Sequence, residues 1–346
     1  MLMKIKKNIL YAILFCSGFV FAEPTALVLS GGGAKGAYEV GVWKAMCEYG
    51  VTNEIVTISG TSVGAINAAM FVSIREPNKI ANFWKTEIGK IFTLNTNELS
   101  SVLNEHIKEL DSHLQKEFQS RIDELAKRIG TTPEFISNDE QEQIKKQILL
   151  EYSLGVVSNT KEKIIKREYV EGLLDSSVLK NCLLEKIPEN WGNVNEHVFA
   201  TTLGEKKREV FFLNECNHQE RIEKICASCS IPVVFTTARI DGQNFVDGGW
   251  DEQGGENIPI TPVIEKFPKI KKIYVIYLND KKTLEKRKSL IDKSKYKGVE
   301  IIEFIPSRNL LEWFGALNFS AEWAMVLFDL GYKDACKVLE NLDYSL

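Results

Sequence analysis

Three short glycine-rich motifs, each directly after a run of apolar residues, constrain the fold of this 346-residue chain more than any other feature. The motif SGGGAKG at 30–36 follows ALVL, GTSVG at 60–64 follows IVTIS, and DGG at 247–249 follows FV. Short apolar runs that stop at glycine are typical of buried strands that end in tight turns. Because the parallel strands of an α/β sheet end at one edge, we expect the three motifs to converge there.

The middle motif has the pattern of a nucleophile elbow, G-x-S-x-G. Gly60 and Gly64 flank Ser62, and their missing side chains let the backbone bend sharply enough to expose the serine hydroxyl. A serine hydroxyl in such a turn attacks carbonyl carbons once a base removes its proton. Ser62 is therefore the candidate nucleophile.

The first motif begins with three successive glycines, Gly31, Gly32 and Gly33, and leads into a helix. The backbone N–H groups of such a loop can stabilise the oxyanion of a tetrahedral intermediate. Gly36 completes the loop. Lys35 has two interpretations that the sequence leaves open, a role in phosphate binding or an ordinary solvated lysine in the first helical turn.

The third motif supplies the candidate general base. Asp247 is followed by Gly248 and Gly249, so its carboxylate lies in a turn lined by glycine. A free aspartate, with a pKa near 3.9, accepts protons poorly at neutral pH. Asp247 can act as a base if it is partly desolvated and hydrogen-bonded directly to Ser62.

In these three motifs the chain resembles the patatin-like phospholipases. The resemblance extends to ASCSIPVVF at 227–235 and to 320–339, where Gly331 and Tyr332 match the Gly-Tyr pair of the family's closing helix. It covers about residues 24–90 and 165–340. The resemblance implies a three-layer α/β/α sandwich with a largely parallel central sheet, which the alternation of predicted strands and helices also indicates.

The chemistry that the resemblance implies is hydrolysis of acyl esters in lipids, as by a phospholipase A. A Ser62–Asp247 dyad without histidine would carry it, with phospholipid or another acyl-ester lipid bound at a membrane or micelle interface. Neither a cofactor nor a metal is expected. The histidines agree with such a dyad, because an α/β-hydrolase triad runs Ser–Asp/Glu–His along the chain and no histidine follows Asp247. We interpret all four histidines as surface residues: His106, His113, His197 and His218.

Two alternatives from other functional classes remain open. Gly31, Gly33 and Gly36 also spell G-x-G-x-x-G after a strand, the pattern of a nucleotide-binding loop. A dinucleotide-binding unit would have an acidic residue at the end of its second strand, whereas Glu54 precedes that strand, which weakens this alternative. The other alternative is a catalytically silent patatin-like protein that acts through a helical insertion.

That insertion, at about 95–160, lies between the two matched regions. Apolar residues recur at three- and four-residue steps over 99–129, which predicts one long amphipathic helix. The sequence GTTP at 130–133 predicts a break and a second helix that begins at Pro133 with a threonine as N-cap. Such a hairpin packs on itself or on the core, or it forms a lid that contacts lipid or a protein partner or activator. Trp313 and Phe314 are further candidates for lipid contact.

Elsewhere, apolar runs predict strands and periodic segments predict helices. Strands are expected at 25–30, 55–59, 197–203, 208–213, 233–236, 244–246, 272–279 and 299–305. Helices are expected at 34–49, 62–74, 78–88 and 320–342.

The N-terminus has the pattern of a secretory signal peptide. Three lysines precede an apolar run at 9–15, and Val20-Phe21-Ala22 has the small-residue pattern of a cleavage site. We expect residues 1–22 to be removed and the lipid acyl hydrolase domain at 23–346 to be periplasmic or secreted. Loss of those three lysines would shift the formal net charge from −4 to −7, so nucleic acid is not an expected partner.

Six of the seven cysteines would remain after this cleavage, an even number that permits disulfides without fixing their connectivity. Cys226 and Cys229 have C-x-x-C spacing. We interpret them as small packed residues, because they end a helix, whereas a redox motif would begin one.

Overall fold

The computed structural model describes residues 24–91, 93, 107–156, 169–191, 194–250 and 254–342; for 107–113, 150–156 and 312–314 it describes the backbone alone. The expected signal peptide at 1–22 and the first part of the amphipathic stripe, at 99–106, lie outside these residues. Within the described residues, none of the helices combines the length and the apolar character that crossing a membrane requires.

An eight-stranded sheet forms the centre of the described structure. Its strands are β1 (Thr25–Leu29), β2 (Ile55–Thr61), β3 (His197–Gly204), β4 (Arg208–Phe212), β5 (Ala238–Ile240), β6 (Gln243–Asp247), β7 (Lys272–Ile276) and β8 (Glu300–Phe304). The order is β5-β6-β3-β2-β1-β7-β8, and β4 also pairs with β3. Strands β1, β2, β3, β7 and β8 are parallel, whereas β4 and β6 run antiparallel to β3.

The helices are α1 (Ala37–Glu48), α2 (Val63–Ser73), α3 (Pro77–Thr86), α4 (Ile88–Ile91), α5 (Ile107–Ile129), α6 (Asn138–Val156), α7 (Ser176–Lys186), α8 (His218–Ser228), α9 (Thr261–Lys266), α10 (Lys281–Arg287), α11 (Glu312–Leu317) and α12 (Ala321–Glu340). A 3-10 turn, Gly33–Gly36, precedes α1.

Helices cover both faces of the sheet. Alternate residues of β1 point to opposite faces, so that Leu27 and Leu29 join the larger apolar core with α1, α2, α3 and α12. Ala26 and Val28 join a smaller core with α9 and α10. The predicted three-layer α/β/α sandwich with a largely parallel sheet is thereby confirmed. The glycine of the Gly-Tyr pair, Gly331, lets α12 approach α1 closely, because a Cβ there would collide with the Tyr38 carbonyl.

The strands that carry the candidate nucleophile and base end beside consecutive residues of β3. Strand β2 pairs with β3 up to Thr61, which lies opposite Thr201. Strand β6 pairs with β3 from the next residue, with Asp247 opposite Thr202. Since Ser62 directly follows Thr61, Ser62 and Asp247 lie at the same level on opposite sides of β3, at the carboxyl ends of the parallel strands.

The insertion contains a helical hairpin formed by α5 and α6. The described apolar side chains of α5 pack mainly against α6, and the two helices share one apolar cluster: Leu114, Phe118, Ile122, Leu125, Ala126, Ile129, Ile136, Ile144 and Ile148. The part of the predicted stripe that is described, from Leu114 onward, therefore packs within the hairpin itself.

The second helix of the hairpin begins later than predicted. Pro133 starts a 3-10 turn of three residues, and α6 begins at Asn138. The hydroxyl of Ser137 accepts a hydrogen bond from the Glu140 N–H at 3.2 Å, as an N-cap side chain does. Residues 134–137 contribute Ile136 to the shared cluster before the helix starts.

The strand predicted at 233–236 is also wrong. Val233 has a φ of 70°, which ends any extended run there. The segment is a turn whose carbonyls accept hydrogen bonds from a second loop, Val233 from Leu173 N–H at 2.8 Å and Val234 from Leu174 N–H at 2.9 Å. Its apolar residues are buried by packing on that loop and not by pairing in the sheet.

Candidate active site

Ser62 lies in a strained turn between β2 and α2. Its φ of 55° and ψ of −125° are rare for a residue with a side chain, and only 5% of the residue is exposed. Both flanking glycines are required by sterics: a Cβ on Gly60 would collide with the Gly64 carbonyl, and a Cβ on Gly64 would lie 2.5 Å from the Leu29 carbonyl. The local geometry is that of a nucleophile elbow.

A second serine, which the sequence analysis did not select, holds this turn in place. The Oγ of Ser228, at the end of α8, accepts a hydrogen bond from the Ser62 N–H at 2.8 Å. The Ser228 hydroxyl in turn donates to the Thr201 carbonyl on β3 at 2.5 Å. Ser228 is fully buried, so its side chain serves the backbone of the elbow and not solvent. Its signal in the sequence was only its place in the ASCSIPVVF segment.

Asp247 is held by the turn that follows it. Its Oδ1 accepts a hydrogen bond from the Gly249 N–H at 2.7 Å, and its own N–H donates to the Ser230 carbonyl at 2.9 Å. The residue is 6% exposed. Gly248 has no room for a side chain, because a Cβ there would collide with the Thr201 carbonyl. These contacts fix the carboxylate at the end of β6, beside β3.

Cys229 lies between the two candidate catalytic residues. Burial raises the pKa of its thiol well above the usual value, and the negative charge of Asp247 adds to this increase. A hydrogen bond with Ser62 acts in the opposite direction but is weaker than burial. The thiol is therefore protonated at neutral pH, and only a thiolate is an effective nucleophile. The six described cysteines are all unpaired.

The glycine loop is enclosed by protein on several sides. Gly31 donates its N–H to the Asn257 carbonyl at 3.0 Å. A Cβ on Gly32 would lie 2.7 Å from the Leu278 side chain, and one on Gly33 would collide with the Ala316 carbonyl. Gly33 also has a φ of 58°, which favours glycine. The loop conformation therefore depends on all three residues.

Lys35 is 4% exposed, so the interpretation as a solvated lysine is wrong. Its Nζ donates to Asn279 Oδ1 at 3.0 Å, just beyond the end of β7. The Lys35 side chain lies against Gly32, where its positive charge adds to the positive potential of the loop.

Asn257 connects the first and third motifs, and the sequence analysis did not single it out. Its backbone carbonyl accepts from Gly31, and its Nδ2 donates to the Gly31 carbonyl at 3.4 Å. The Oδ1 of Asn257 lies where a Cβ on either Gly31 or Gly249 would be. Gly31 is in turn adjacent to Ser62, since its Cβ would be 3.3 Å from Ser62 Cβ. All three motifs thus meet around one asparagine side chain.

A buried network of polar side chains stabilises the glycine loop on the side of α2 and α3. Asn67 of α2 donates to the Gly36 carbonyl at 2.9 Å and to Glu39 Oε2 at 2.8 Å, and its Oδ1 accepts from Trp84 Nε1 at 3.1 Å. Burial raises the pKa of Glu39 well above the usual value, against the opposing hydrogen bonds from Asn67 and the Ser30 backbone. Burial thus favours the neutral form of Glu39, and the network ties the loop to α2 and α3.

The two histidines whose side chains are described lie away from this site. His197 begins β3, at the opposite edge of the sheet, and stacks on Phe212. His218 begins α8, whereas Ser228 ends the same helix ten residues later, about 15 Å along its axis. The described residues contain no group of three side chains arranged to hold a metal ion.

Comparisons with known proteins agree with the geometry. Patatin-like phospholipase domain-containing protein 7 from Rattus norvegicus is 46% identical over 55 residues, 16% of this chain and 4% of that protein. The same protein from Mus musculus is 50% identical over 50 residues, 14% of this chain and 4% of that protein. The chain thus spans a small part of the length of the curated relatives it matches.

Among solved structures, VipD from Legionella pneumophila has a TM-score of 0.44 and 15% identity, and the match covers 92% of this chain and 67% of that one. The ExoU chain of the ExoU–SpcU complex from Pseudomonas aeruginosa has a TM-score of 0.34 and 16% identity, with 92% and 52% covered. The family model for patatin-like phospholipase matches residues 27–264, more than half of the chain. The chain therefore belongs to the patatin-like phospholipase family.

Proposed function

We propose that this protein is a serine hydrolase of lipid acyl esters, with phospholipase A-like activity, in which Ser62 is the nucleophile and Asp247 the general base. The observation that carries the proposal is the pairing of β2 and β6 with consecutive residues of β3. The elbow serine and a buried, oriented carboxylate are thereby level with each other on either side of β3, and both interact with Cys229. No described histidine side chain lies at that edge of the sheet.

In the proposed reaction, Asp247 accepts the proton of the Ser62 hydroxyl as Oγ attacks the ester carbonyl. The proton then passes to the leaving alcohol, and an acyl-serine remains. Water attacks this acyl-enzyme while Asp247 again accepts a proton, which Ser62 recovers when the fatty acid leaves. In each half-reaction Asp247 accepts one proton and gives it up again, so the enzyme returns to its starting protonation state.

The oxyanion donors in this proposal are Gly32 and Gly33. The Gly31 N–H already donates to Asn257, so Gly31 serves the loop conformation. No acceptor for the N–H of Gly32 or Gly33 is found among the described residues. Two such donors, aimed at the developing charge, are worth a few kcal/mol each in the transition state.

The nucleotide-binding alternative gains no support from the contacts of the loop. Gly33 packs on the Ala316 carbonyl and Gly36 on Val63 and Trp84, so these glycines are explained by close packing within the protein. Glu54, the acidic residue nearest β2, lies at the start of that strand and is 3.9 Å from Lys272. Neither feature provides a diphosphate or ribose site.

The test is to assay purified Ser62→Ala, Asp247→Asn and the double variant on phospholipids that carry a labelled acyl chain, with a fluorophosphonate probe to label the nucleophile. We expect each single variant to lose nearly all turnover without a change in melting temperature. The double variant should be hardly worse than either, because nucleophile and base act as one unit. Only Asp247→Asn should retain some probe labelling.

The control variants are His197→Ala and His218→Ala, which should hydrolyse phospholipid at the wild-type rate. Substantial turnover by Asp247→Asn, or loss of turnover in either histidine variant, would show that the base is misassigned. Stoichiometric labelling of Ser62 without turnover on any lipid ester would favour the catalytically silent alternative.

A further inference from the structure

A strongly basic segment lies between β7 and β8. Residues 281–297 contain eight basic and two acidic side chains, a formal excess of six positive charges, whereas the whole chain has a formal net charge of −4. We call these 17 residues the basic segment. All eight basic residues are exposed: Lys281, Lys282, Lys286, Arg287, Lys288, Lys293, Lys295 and Lys297.

The basic side chains form an outer surface over a buried apolar one. Leu284 is buried, and Leu290, Ile291 and Tyr296 pack with it against the core beneath β7. The backbone of the segment is thus fixed to the sheet, and its charges project outward. A fixed array of like charges differs from a mobile tail, because its geometry is kept when it meets a charged surface.

Several of these basic side chains form no ion pair with the described residues. Lys282, Lys286 and Lys288 make no ion pair with any described residue, while Lys281 lies 3.9 Å from Glu285 and Lys293 lies 2.7 Å from Glu303. Lys282 and Lys286 are four residues apart on α10, where like charges destabilise a helix. Contacts within the described fold therefore do not account for this concentration of positive charge.

The segment begins beside the candidate active site. Leu278 contacts Gly32, and Asn279 accepts the hydrogen bond from Lys35, so the chain leaves the glycine loop only two residues before α10. Asp280, the residue before α10, accepts a hydrogen bond from Asn309 Nδ2 at 3.0 Å, which anchors the start of α10 to the loop after β8. The first lysines thus lie at the edge of the sheet where Ser62 and Asp247 meet.

We propose that the basic segment docks the protein on an anionic phospholipid surface, with the carboxyl edge of the sheet toward the lipid. The proposal rests on the proposed function, because the lipid ester and the docking surface would then lie on one side of the molecule. Attraction between lysines and anionic headgroups acts within about a Debye length, roughly 8–10 Å at physiological salt. The remaining surface, which is acidic, is repelled, and this orients the protein.

The binding test uses the Ser62→Ala background, so that adsorption is measured without hydrolysis. Flotation of this protein with vesicles of phosphatidylcholine, with or without phosphatidylserine, should show binding only to the anionic vesicles. Replacing Lys282, Lys286 and Lys288 by glutamine should weaken that binding by ten- to a hundredfold, since each lysine near the surface contributes on the order of 1 kcal/mol. Added salt should abolish the difference between the two proteins.

The matched control replaces Lys266, Lys269 and Lys271 by glutamine, the same change in net charge on the same layer. These exposed lysines precede β7 and lie at the opposite edge of the sheet. The control should bind as tightly as the parent, and melting curves should show that both triple variants fold. Equal weakening in both triple variants, or no preference of the parent for anionic vesicles, would overturn the proposal. The proposed function is tested separately, by hydrolysis of a soluble short-chain ester by the wild-type protein, which needs no membrane binding.

Discussion

The backbone of Ser62 stores conformational strain that the surrounding contacts must hold. A residue with a side chain at a φ of 55° costs on the order of 1–3 kcal/mol relative to an unstrained conformation. The hydrogen bond from the Ser62 N–H to Ser228, and from Ser228 to Thr201, fixes the turn to β3. Ser228 therefore positions the candidate nucleophile through its backbone, while its own side chain is buried.

We predict that Ser228→Ala lowers turnover by about tenfold to a hundredfold, because a displacement of the nucleophile by a fraction of an ångström removes the productive geometry. The KM for a soluble ester should change little. Removing the acceptor also leaves a buried N–H unsatisfied, so the melting temperature should fall, with a cost of about 1–3 kcal/mol. Steady-state kinetics and thermal melting measure the two effects.

Thr57→Val is the matched control for this variant. The Thr57 hydroxyl is buried and donates to the His197 carbonyl at 3.0 Å, so it too joins β2 to β3, but at the opposite ends of those strands. Its loss should destabilise the protein and leave turnover at the wild-type value. If Ser228→Ala changes only the melting temperature, as Thr57→Val should, the hydroxyl is structural.

At the residue scale, the sequence can predict a functional side chain when the residues next to it in the chain determine its environment. Ser62 and Asp247 could be selected because adjacent glycines mark the turns that expose them. Ser228 and Asn257 could not, because their contacts join residues 166 and 226 positions apart in the chain. The burial of Lys35 could not be predicted for the same reason, because its hydrogen-bond partner Asn279 is 244 positions away in the chain.

At the scale of elements, the α5–α6 hairpin has its own apolar cluster and meets the core through a pair of carboxyl groups. Glu140 in the first turn of α6 is 1% exposed and lies beside Glu322 in the first turn of α12. Burial, followed by the hydrogen bond with Glu322, raises the pKa of Glu140 to about 9. The hydrogen bond from Glu140 lowers the pKa of Glu322. At neutral pH the two groups share one proton.

This pair predicts a loss of stability as the pH rises. Between about 4.5 and 9 the folded protein keeps the Glu140 proton that the unfolded chain releases, so the free energy of unfolding decreases with pH across that window. Glu140→Gln removes this contribution and should be more stable than the wild type at pH 8. The pKa of Glu322 is lowered, so this group changes the free energy of unfolding only at pH values below the ordinary pKa of glutamate, where its protonation destabilises the fold.

Melting temperatures of the wild type and Glu140→Gln, measured from pH 5 to pH 9, test this prediction. The gap between the two should widen steadily in favour of the variant. Glu39, whose pKa is also raised by burial, affects both proteins equally and cancels in the comparison. Parallel curves for the two proteins would mean that Glu140 does not hold a proton in the fold.

Elements with a strong local pattern could be predicted, and those defined by tertiary contacts could not. The long periodic segments of α5 and α12 and the apolar runs of β1, β2 and β3 appear close to their expected positions. Strand β5 has three residues, too few for any period, and exists through its pairing with β6. The run at 233–236 has strand-like composition, but the turn at Val233 and its packing on residues 173–174 exclude it from the sheet.

For the whole molecule, net charge and charge distribution lead to different expectations. The average charge argues against electrostatic capture by anionic membranes, yet the exposed basic segment concentrates positive charge in one place. The net charge of the chain does not reveal this basic segment, because the burial and position of each charged residue decide which charges a partner contacts.

The N-terminal pattern leads to a prediction at the same scale. If residues 1–22 are a signal peptide, the protein expressed from its full sequence in a bacterial host should be recovered outside the inner membrane with Glu23 as its first residue. N-terminal sequencing of the periplasmic and culture fractions measures this. Retention of Met1 in the cytosolic fraction would contradict export.

The register of β3 aligns the candidate nucleophile with the candidate base. Ser62 follows the partner of Thr201 and Asp247 is the partner of Thr202, so the two residues lie at the same level along β3. They flank this strand on opposite sides, two strand spacings of about 4.8 Å apart along the backbone. The turns at 205–207 and 241–242 can lengthen or shorten without changing this alignment, provided the pairing of β6 with β3 is kept. A slip of one residue would instead carry the carboxylate to the other face of the sheet. Natural variation in this half of the chain should therefore accumulate in turn length, and hardly ever as a single-residue insertion within β6.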